Sequence, residues 1–334
     1  MKRILLTMIK NTKKLICLLV VIALFGASAT LVGCNRRSDE QKIKILCTVF
    51  PVYDWAKSII GDSDAVNLSL LVENGTDLHS FQPSFGDMAK IKDSDAVIYI
   101  GGDSDEWVAD SVNEDAISVE LSAINGIALY ELSADSVAHA HTHEDGEECH
   151  EAHEHSHGFD EHLWLSLRNA KTACLAICEL LSELDPENAS AYEENTASYI
   201  EKLDELDARM SALAKNANEP LLFADRFPFV YLLRDYNVDY YAAFEGCTTD
   251  TGADFDTVIT LSKKLDALEK KYVFTTESPT DGLADSVIEQ SKSKQATVIA
   301  LDSLQSTVKS DASGGKSYIS VMNENVSALE KIFN

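Results

Sequence analysis

The chain has 334 residues, of which 55 are acidic and 28 are basic, so its net charge at pH 7 is −27. A surplus of this size repels phosphate backbones and anionic lipid headgroups, which excludes a role in binding nucleic acid or an acidic membrane surface. The length predicts about two domains, and the negative charge suits a protein that attracts cations.

The N-terminus has the pattern of a secretory signal. Five basic residues and no acidic residue lie in the first 33 positions, and an apolar run from Leu15 ends in Leu-Val-Gly-Cys at Cys34. This ending resembles a bacterial lipobox, so we expect removal of 1–33, acylation of Cys34 and a polar tether over 34–41. Losing the signal lowers the net charge from −27 to −32. An uncleaved transmembrane anchor is the alternative, because the run is almost long enough to span a bilayer.

Eight short apolar runs, rich in β-branched residues, alternate with helical segments. Strands that are buried on both faces and separated by helices predict parallel sheets built from βαβ units. Four runs lie in each half of the chain, so the predicted fold class is α/β, with two four-stranded parallel sheets in two lobes. The runs are 42–49, 65–72, 96–101 and 116–121 in the first half, and 221–225, 238–244, 272–277 and 296–302 in the second.

A long helical pattern separates the two sets of strands. Apolar residues recur on one helical face from Tyr192 to Leu213. Asp185 is predicted to be the N-cap and Pro186 the first helical residue. A helix of about 30 residues is about 45 Å long, so we expect it to join the lobes stiffly. The predicted boundaries are 42–185 for the N-terminal lobe, 186–217 for the helix and 218–334 for the C-terminal lobe.

Histidine is concentrated in one polar segment, at about 136–158. Seven of the nine histidines lie there, together with several glutamates and Cys149. The segment has no apolar periodicity, which predicts a disordered loop, and imidazole and thiolate favour zinc over hard cations. We interpret it as a secondary metal-binding loop, because many similar ligand sets compete within it. Its histidines are His139, His141, His143, His150, His153, His155 and His157.

The other two histidines, His79 and His162, stand at the ends of predicted elements of the first lobe. In parallel α/β sheets the ligand crevice lies outside the carboxyl ends of the strands. Asp225, Glu277 and Asp302 occupy such positions in the second lobe. Two imidazoles facing carboxylates form a chemically reasonable site for zinc or manganese. Strand-end acids also cap helices, so a structural role for Asp225 and Glu277 stays open.

These motifs, in this order, resemble the metal-binding solute-binding lipoproteins of ABC transporters, the zinc and manganese group. The resemblance rests on Asp-Leu-His-Ser-Phe-Gln-Pro-Ser at 77–84, the histidine-rich loop, Asp-Glu-His-Leu-Trp-Leu-Ser at 160–166, the long helix and Leu-Asp-Ser-Leu at 301–304. It covers nearly the whole chain after the signal. It implies two four-stranded lobes joined by one helix, with a metal between them and no enzymatic activity. The ligands that it implies are His79, His162 and Asp302.

One position departs from the family pattern and indicates a divergent branch. The family usually carries histidine or glutamate directly after the residue that matches Phe223, and this chain has Ala224 there. Alanine cannot coordinate a metal, so the fourth donor is predicted to be Asp225, Glu277 or a water molecule. Arg226 is an alternative partner for Asp225, in which case that carboxylate is structural.

The resemblance implies capture of a divalent transition metal at the extracytoplasmic face of a bacterial membrane and its delivery to an ABC permease. Zinc is the predicted cargo, because its general affinity for such ligands is higher and the histidine loop favours it, and manganese or iron is the alternative. The expected partners are the cognate permease and, through the lipid anchor, the membrane. The chain itself is expected to be a monomer.

Two other functions are compatible with the sequence. A zinc-dependent hydrolase would use three protein ligands and an open coordination position, but the chain has no His-Glu-x-x-His motif and no nucleophile elbow. A metal-storing surface adhesin would use the loop alone. It would show many weak sites in place of one tight site.

Overall fold

The computed structural model describes residues 42–73, 75–131, 158–244, 255–269, 271–279 and 282–333. The predicted signal peptide, Cys34, the tether and the seven loop histidines lie outside the described residues. Within the described ranges, no helix is long and apolar enough to cross a membrane. The chain from Ile43 onward forms one compact unit.

The first sheet has four parallel strands in the order β2-β1-β3-β4. Its central strand β3 reads Ala-Val-Ile-Tyr and is buried at every position, as expected for a strand covered on both faces. Ile45 of β1 pairs with Ala96 of β3, which in turn pairs with Ile117 of β4. The strands are β1 (Ile43–Cys47), β2 (Val66–Leu70), β3 (Ala96–Tyr99) and β4 (Ile117–Glu120).

The second sheet repeats this arrangement in the order β6-β5-β7-β8, again with all strands parallel. Phe223 of β5 pairs with Phe274 of β7 at its centre. The strands are β5 (Leu221–Phe223), β6 (Tyr240–Ala242), β7 (Tyr272–Thr276) and β8 (Thr297–Leu301). All eight predicted strands are therefore present, and the α/β prediction with two four-stranded sheets is confirmed.

Helices connect successive strands, and their ends follow from local sequence. In the first half Ser84 and Asp87 form a reciprocal capping box that fixes the start of the second helix. The helices here are α1 (Phe50–Ile60), α2 (Phe85–Lys92) and α3 (Leu167–Leu184). In the second half they are α5 (Val230–Arg234), α6 (Phe255–Ala267), α7 (Leu283–Gln290), α8 (Lys309–Ser313) and α9 (Tyr318–Phe333).

The long helix α4 (Ala189–Ala214) lies between the two halves and packs against α1, α3 and α9. Its 26 residues correspond to about 39 Å. It begins at Ala189, with Asn188 as N-cap, so the expected start at Pro186 is displaced. Asp185 instead ends α3, and its carboxylate accepts hydrogen bonds from Asn188 and from the Tyr192 hydroxyl.

One apolar cluster joins the two halves. It includes Ile45 and Ile98 from the first sheet, Phe223 and Phe274 from the second, and the buried face of α4. Smaller clusters cover the outer face of each sheet. The two halves are thus held together by a common apolar core as well as by their covalent connection.

Candidate metal centre

Segments that follow the strands of both sheets line a small crevice. Val49 and Leu78 reach it from the first sheet, Leu304 and Gln305 from the second, and Trp164 closes one side. The Trp164 indole N–H donates to the Ser303 carbonyl at 2.9 Å. This position agrees with the rule that ligands of parallel α/β sheets bind outside the carboxyl ends of the strands.

His79 and His162 meet beside this crevice, since the lining residue Leu78 directly precedes His79 and the lining residue Gln305 contacts the His162 ring. Their Nε2 atoms are 3.2 Å apart, and their ring centroids are 5.1 Å apart. His79 belongs to the single turn Leu78–Ser80, where Asp77 accepts a hydrogen bond from its backbone N–H. His162 directly precedes the turn Leu163–Leu165 and is buried.

Acidic side chains orient both rings. The Nδ1 of His162 lies 2.8 Å from an Asp160 oxygen, and the Nδ1 of His79 lies 3.2 Å from a Glu161 oxygen and 2.7 Å from the Ser104 hydroxyl. A carboxylate beside Nδ1 keeps the proton on that nitrogen and leaves a lone pair on Nε2. Two Nε2 lone pairs therefore lie close together, an arrangement that a cation bound by both nitrogens stabilises.

The spacing of the two Nε2 atoms fits one tetrahedral ion. Two nitrogens that each lie about 2.05 Å from such an ion are about 3.3 Å apart. The observed separation is 3.2 Å. The separation of the pair thus matches that of two nitrogen ligands on one zinc ion.

Glu161 is a buried acid that is closely surrounded by protein atoms. The Ser104 N–H donates to it at 2.8 Å, and a Cβ atom at Gly102 would lie only 2.3 Å from its Oε1. Burial raises the pKa of Glu161, but hydrogen bonds from His79 and Ser104 outweigh burial and hold this pKa below its usual value. The carboxylate stays charged beside His79.

The acids of the second half contact protein donors. Asp225 is fully buried and accepts hydrogen bonds from the Thr276 N–H at 2.8 Å and hydroxyl at 2.6 Å. Glu277 accepts from the Ser303 N–H at 2.8 Å and from the Ser306 hydroxyl at 2.7 Å. Each carboxylate therefore ties neighbouring segments of the second sheet together.

Asp302 forms an ion pair with Lys316, whose ammonium group lies 2.7 Å from its Oδ2. Its Oδ1 accepts a hydrogen bond from the Leu304 N–H at 2.8 Å. Among the described residues, no three His, Cys, Asp or Glu side chains cluster closely enough to hold a metal. The structure brings His79 and His162 together and leaves the three second-half acids with other partners.

The sequence profile of the family described as "Zinc-uptake complex component A periplasmic" matches residues 45–332. The chain belongs to this family. The zinc-binding protein AdcA of Streptococcus pyogenes is 31% identical over 322 residues, which are 95% of this chain and 61% of AdcA. The zinc uptake protein ZnuA of Bacillus subtilis is 28% identical over 321 residues, 94% of each chain. This chain thus spans about three-fifths of the AdcA length but nearly all of ZnuA.

A solved relative has the same fold. The Zn(II)-bound ZnuA-like domain of Streptococcus pneumoniae AdcA matches with a TM-score of 0.67 and 25% identity, over 87% of this chain and 98% of that domain. Membership of the zinc-uptake family confirms the resemblance predicted from the motifs. The family description names an uptake component and not an enzyme, in agreement with the prediction.

An arginine lies near the departure at Ala224. Ala224 is buried and directly follows β5, and Arg226 lies two residues later. Its Nη1 lies 2.7 Å from an Asp77 oxygen. The structure therefore pairs Arg226 with Asp77 of the first half.

Sequence reasoning missed Gln305, whose amide nitrogen contacts the His162 Nε2. The amide oxygen and nitrogen exchange places by rotation, so Gln305 can present either a donor or an acceptor at this point. It follows Asp302 by three residues, and this proximity to a predicted ligand was the available signal. The motif at 160–166 likewise gave no sign that Asp160 and Glu161 orient the two histidine rings.

Proposed function

We propose that this chain captures zinc outside the cytoplasmic membrane and delivers it to an ABC permease. The observation that carries the proposal is the pair of facing Nε2 atoms of His79 and His162, 3.2 Å apart, with both Nδ1 atoms beside carboxylates. The names of the family and of the relatives AdcA and ZnuA support zinc as the cargo.

The ligand set that we propose combines both halves. His79 and His162 supply two nitrogens, Asp302 supplies an oxygen, and Asp225 or Glu277 or a water molecule completes the four positions of a zinc site. Asp302 must exchange Lys316 for the ion, because its Oδ2 already accepts from that ammonium group. Two imidazoles favour zinc over manganese by ligand type.

The test is a chelator-competition titration of the full-length protein, purified in detergent without a histidine tag. We expect one tight zinc per chain, together with weaker binding by the loop, and much weaker binding of manganese. His79→Ala and His162→Ala should each weaken the tight site at least roughly 100-fold, since even residues behind metal ligands contribute 10- to 100-fold. His150→Ala, in the loop, is the control. If either variant keeps the wild-type affinity, that histidine is structural.

The histidine-rich loop serves, in this proposal, as a gathering segment and not as the primary site. His79 and His162 lie outside it on ordered elements. Deletion of 139–157 should therefore leave one tight zinc site and the thermal stabilisation that zinc provides. Calorimetric titration decides the matter, since absence of a tight site in the deletion variant identifies the loop as the site.

The anchor is a separate part of the proposal. Acylation of Cys34 would hold the chain at the membrane beside its permease, because two acyl chains bind a bilayer stably where one does not. Mass spectrometry of the native membrane fraction should find a diacylated N-terminal cysteine. An intact Met1 or an unmodified Cys34 contradicts it. Light scattering of the detergent-purified protein should give the mass of a monomer.

A further inference from the structure

A charged contact joins the two halves beside the turn that carries His79. Arg226, which follows β5, places its Nη1 2.7 Å from the Oδ2 of Asp77, which follows β2. Both side chains are only 16% exposed. The contact links segments that are 149 residues apart in sequence.

Asp77 contacts both Arg226 and the candidate ligand His79. Its second oxygen, Oδ1, accepts a hydrogen bond from the backbone N–H of His79 at 3.1 Å. We propose that Arg226 is a positioning residue: from the second half, and through Asp77, it holds the turn that carries His79 and so strengthens zinc binding. The proposal rests on the proposed function and adds a residue to that site.

Stability alone accounts poorly for an arginine at this position. The Nε of Arg226 is buried and has no hydrogen-bond partner among the described residues, and an unsatisfied buried donor calls for an explanation. A partly buried ion pair stabilises a fold little better than apolar side chains of the same volume. Ala224 cannot act as a metal ligand. The Arg226–Asp77 pair instead lets the segment after β5 contribute to the metal site.

The charge of the pair predicts an asymmetry between its two members. Loss of Arg226 leaves an Asp77 carboxylate that still accepts from His79. Loss of the Asp77 charge leaves an unpaired guanidinium beside a site for a cation, which repels the ion. Asp77→Asn should therefore weaken zinc binding more than Arg226→Met. In the double variant the repulsion is absent, so its loss should be smaller than the product of the single losses.

The experiment is a double-mutant cycle on zinc affinity, measured by chelator competition on the full-length protein in detergent. We expect Arg226→Met to weaken binding about tenfold, the lower end for a residue that orients a ligand. Arg226→Lys should recover part of this loss, because the contact uses a single nitrogen. Arg168→Met is the matched control, since it removes an arginine–aspartate pair on the exposed surface, 3.3 Å long.

His79→Ala, measured in the same series, separates the two proposals. If His79→Ala binds zinc as the wild type does, the metal site itself is wrong. If His79→Ala is impaired while Arg226→Met is not, the positioning role alone is overturned. Strictly additive losses of zinc affinity in the cycle also overturn the positioning role. An equal loss of zinc affinity in Arg226→Met and in the control Arg168→Met overturns it as well.

Discussion

The two halves of the molecule contribute to the candidate site in different ways. In the first half, His79 and His162 already face each other, and Glu161, Ser104 and Asp160 fix their rings. In the second half, Asp225, Glu277 and Asp302 accept hydrogen bonds or an ion pair from neighbouring protein groups. The first half is therefore preorganised for a cation, whereas the second half must exchange partners to reach it.

Asp302→Ala tests whether the second half contributes a ligand, and it carries the largest expected effect. Removal of a direct ligand should weaken zinc binding at least roughly 100-fold, because residues behind ligands already contribute 10- to 100-fold. Chelator competition measures the change. The control is Asp204→Ala, which removes a lysine–aspartate pair of the same 2.7 Å length on the surface. Wild-type affinity in Asp302→Ala means that only the first half binds the ion.

Asp160→Asn tests the preorganisation of the first half. The amide cannot hold the His162 Nδ1 proton as a carboxylate does, so zinc affinity should fall roughly 10- to 100-fold. Asp207→Asn, which neutralises a half-buried carboxylate paired with Arg168, is the control and should leave zinc affinity unchanged. An unchanged affinity in Asp160→Asn shows that the carboxylate does not orient the ring.

Asp105→Asn tests how much the buried Asp105 carboxylate of the first half lowers the free energy of unfolding when it is ionised. Burial raises the pKa of Asp105 to about 6, against hydrogen bonds from Ile100 and Gly101 that lower it. A raised folded-state pKa contributes stability that is present below pH 3.8 and lost as pH rises to about 6. The variant should remove this loss, which is about 3 kcal/mol for a shift of about two pKa units at about 1.4 kcal/mol each.

The measurement for Asp105 is urea unfolding of the protein in a chelator, at several values between pH 4 and pH 6. The slope of unfolding free energy against pH should be less negative in Asp105→Asn than in the wild type. Identical slopes contradict a raised pKa. Asp204→Asn, with an exposed carboxylate, provides the baseline.

Lys316→Met has the smallest expected effect and the opposite sign. Without the ammonium group, Asp302 has no ion pair to exchange, so zinc should bind about threefold more tightly, the scale of a partly exposed salt bridge. Lys171→Met is the surface control, because Lys171 pairs with Asp204 at the same distance. Weaker zinc binding in Lys316→Met would mean that Lys316 supports Asp302 as a ligand and does not compete with the ion.

The fold was largely predictable, because short apolar runs between helical segments specify strands locally. The start of α4 was not, since Asp185 has the residue type of an N-cap yet bonds the Tyr192 hydroxyl from the end of α3. Sequence position indicated His79 and His162. It gave no sign of the Asp77–Arg226 and Asp302–Lys316 pairs, because contacts between distant segments depend on how the two sheets meet.

Trp164 gives the molecule an intrinsic optical probe. Its indole ring lies 5.2 Å from the His162 ring in an edge-on arrangement, and its N–H donates to Ser303 of the opposite half. Indole emission responds to the charge and polarity around the ring. The colour and intensity of its fluorescence should therefore report both the charge state of the neighbouring imidazole and the closeness of the two halves, without any attached dye.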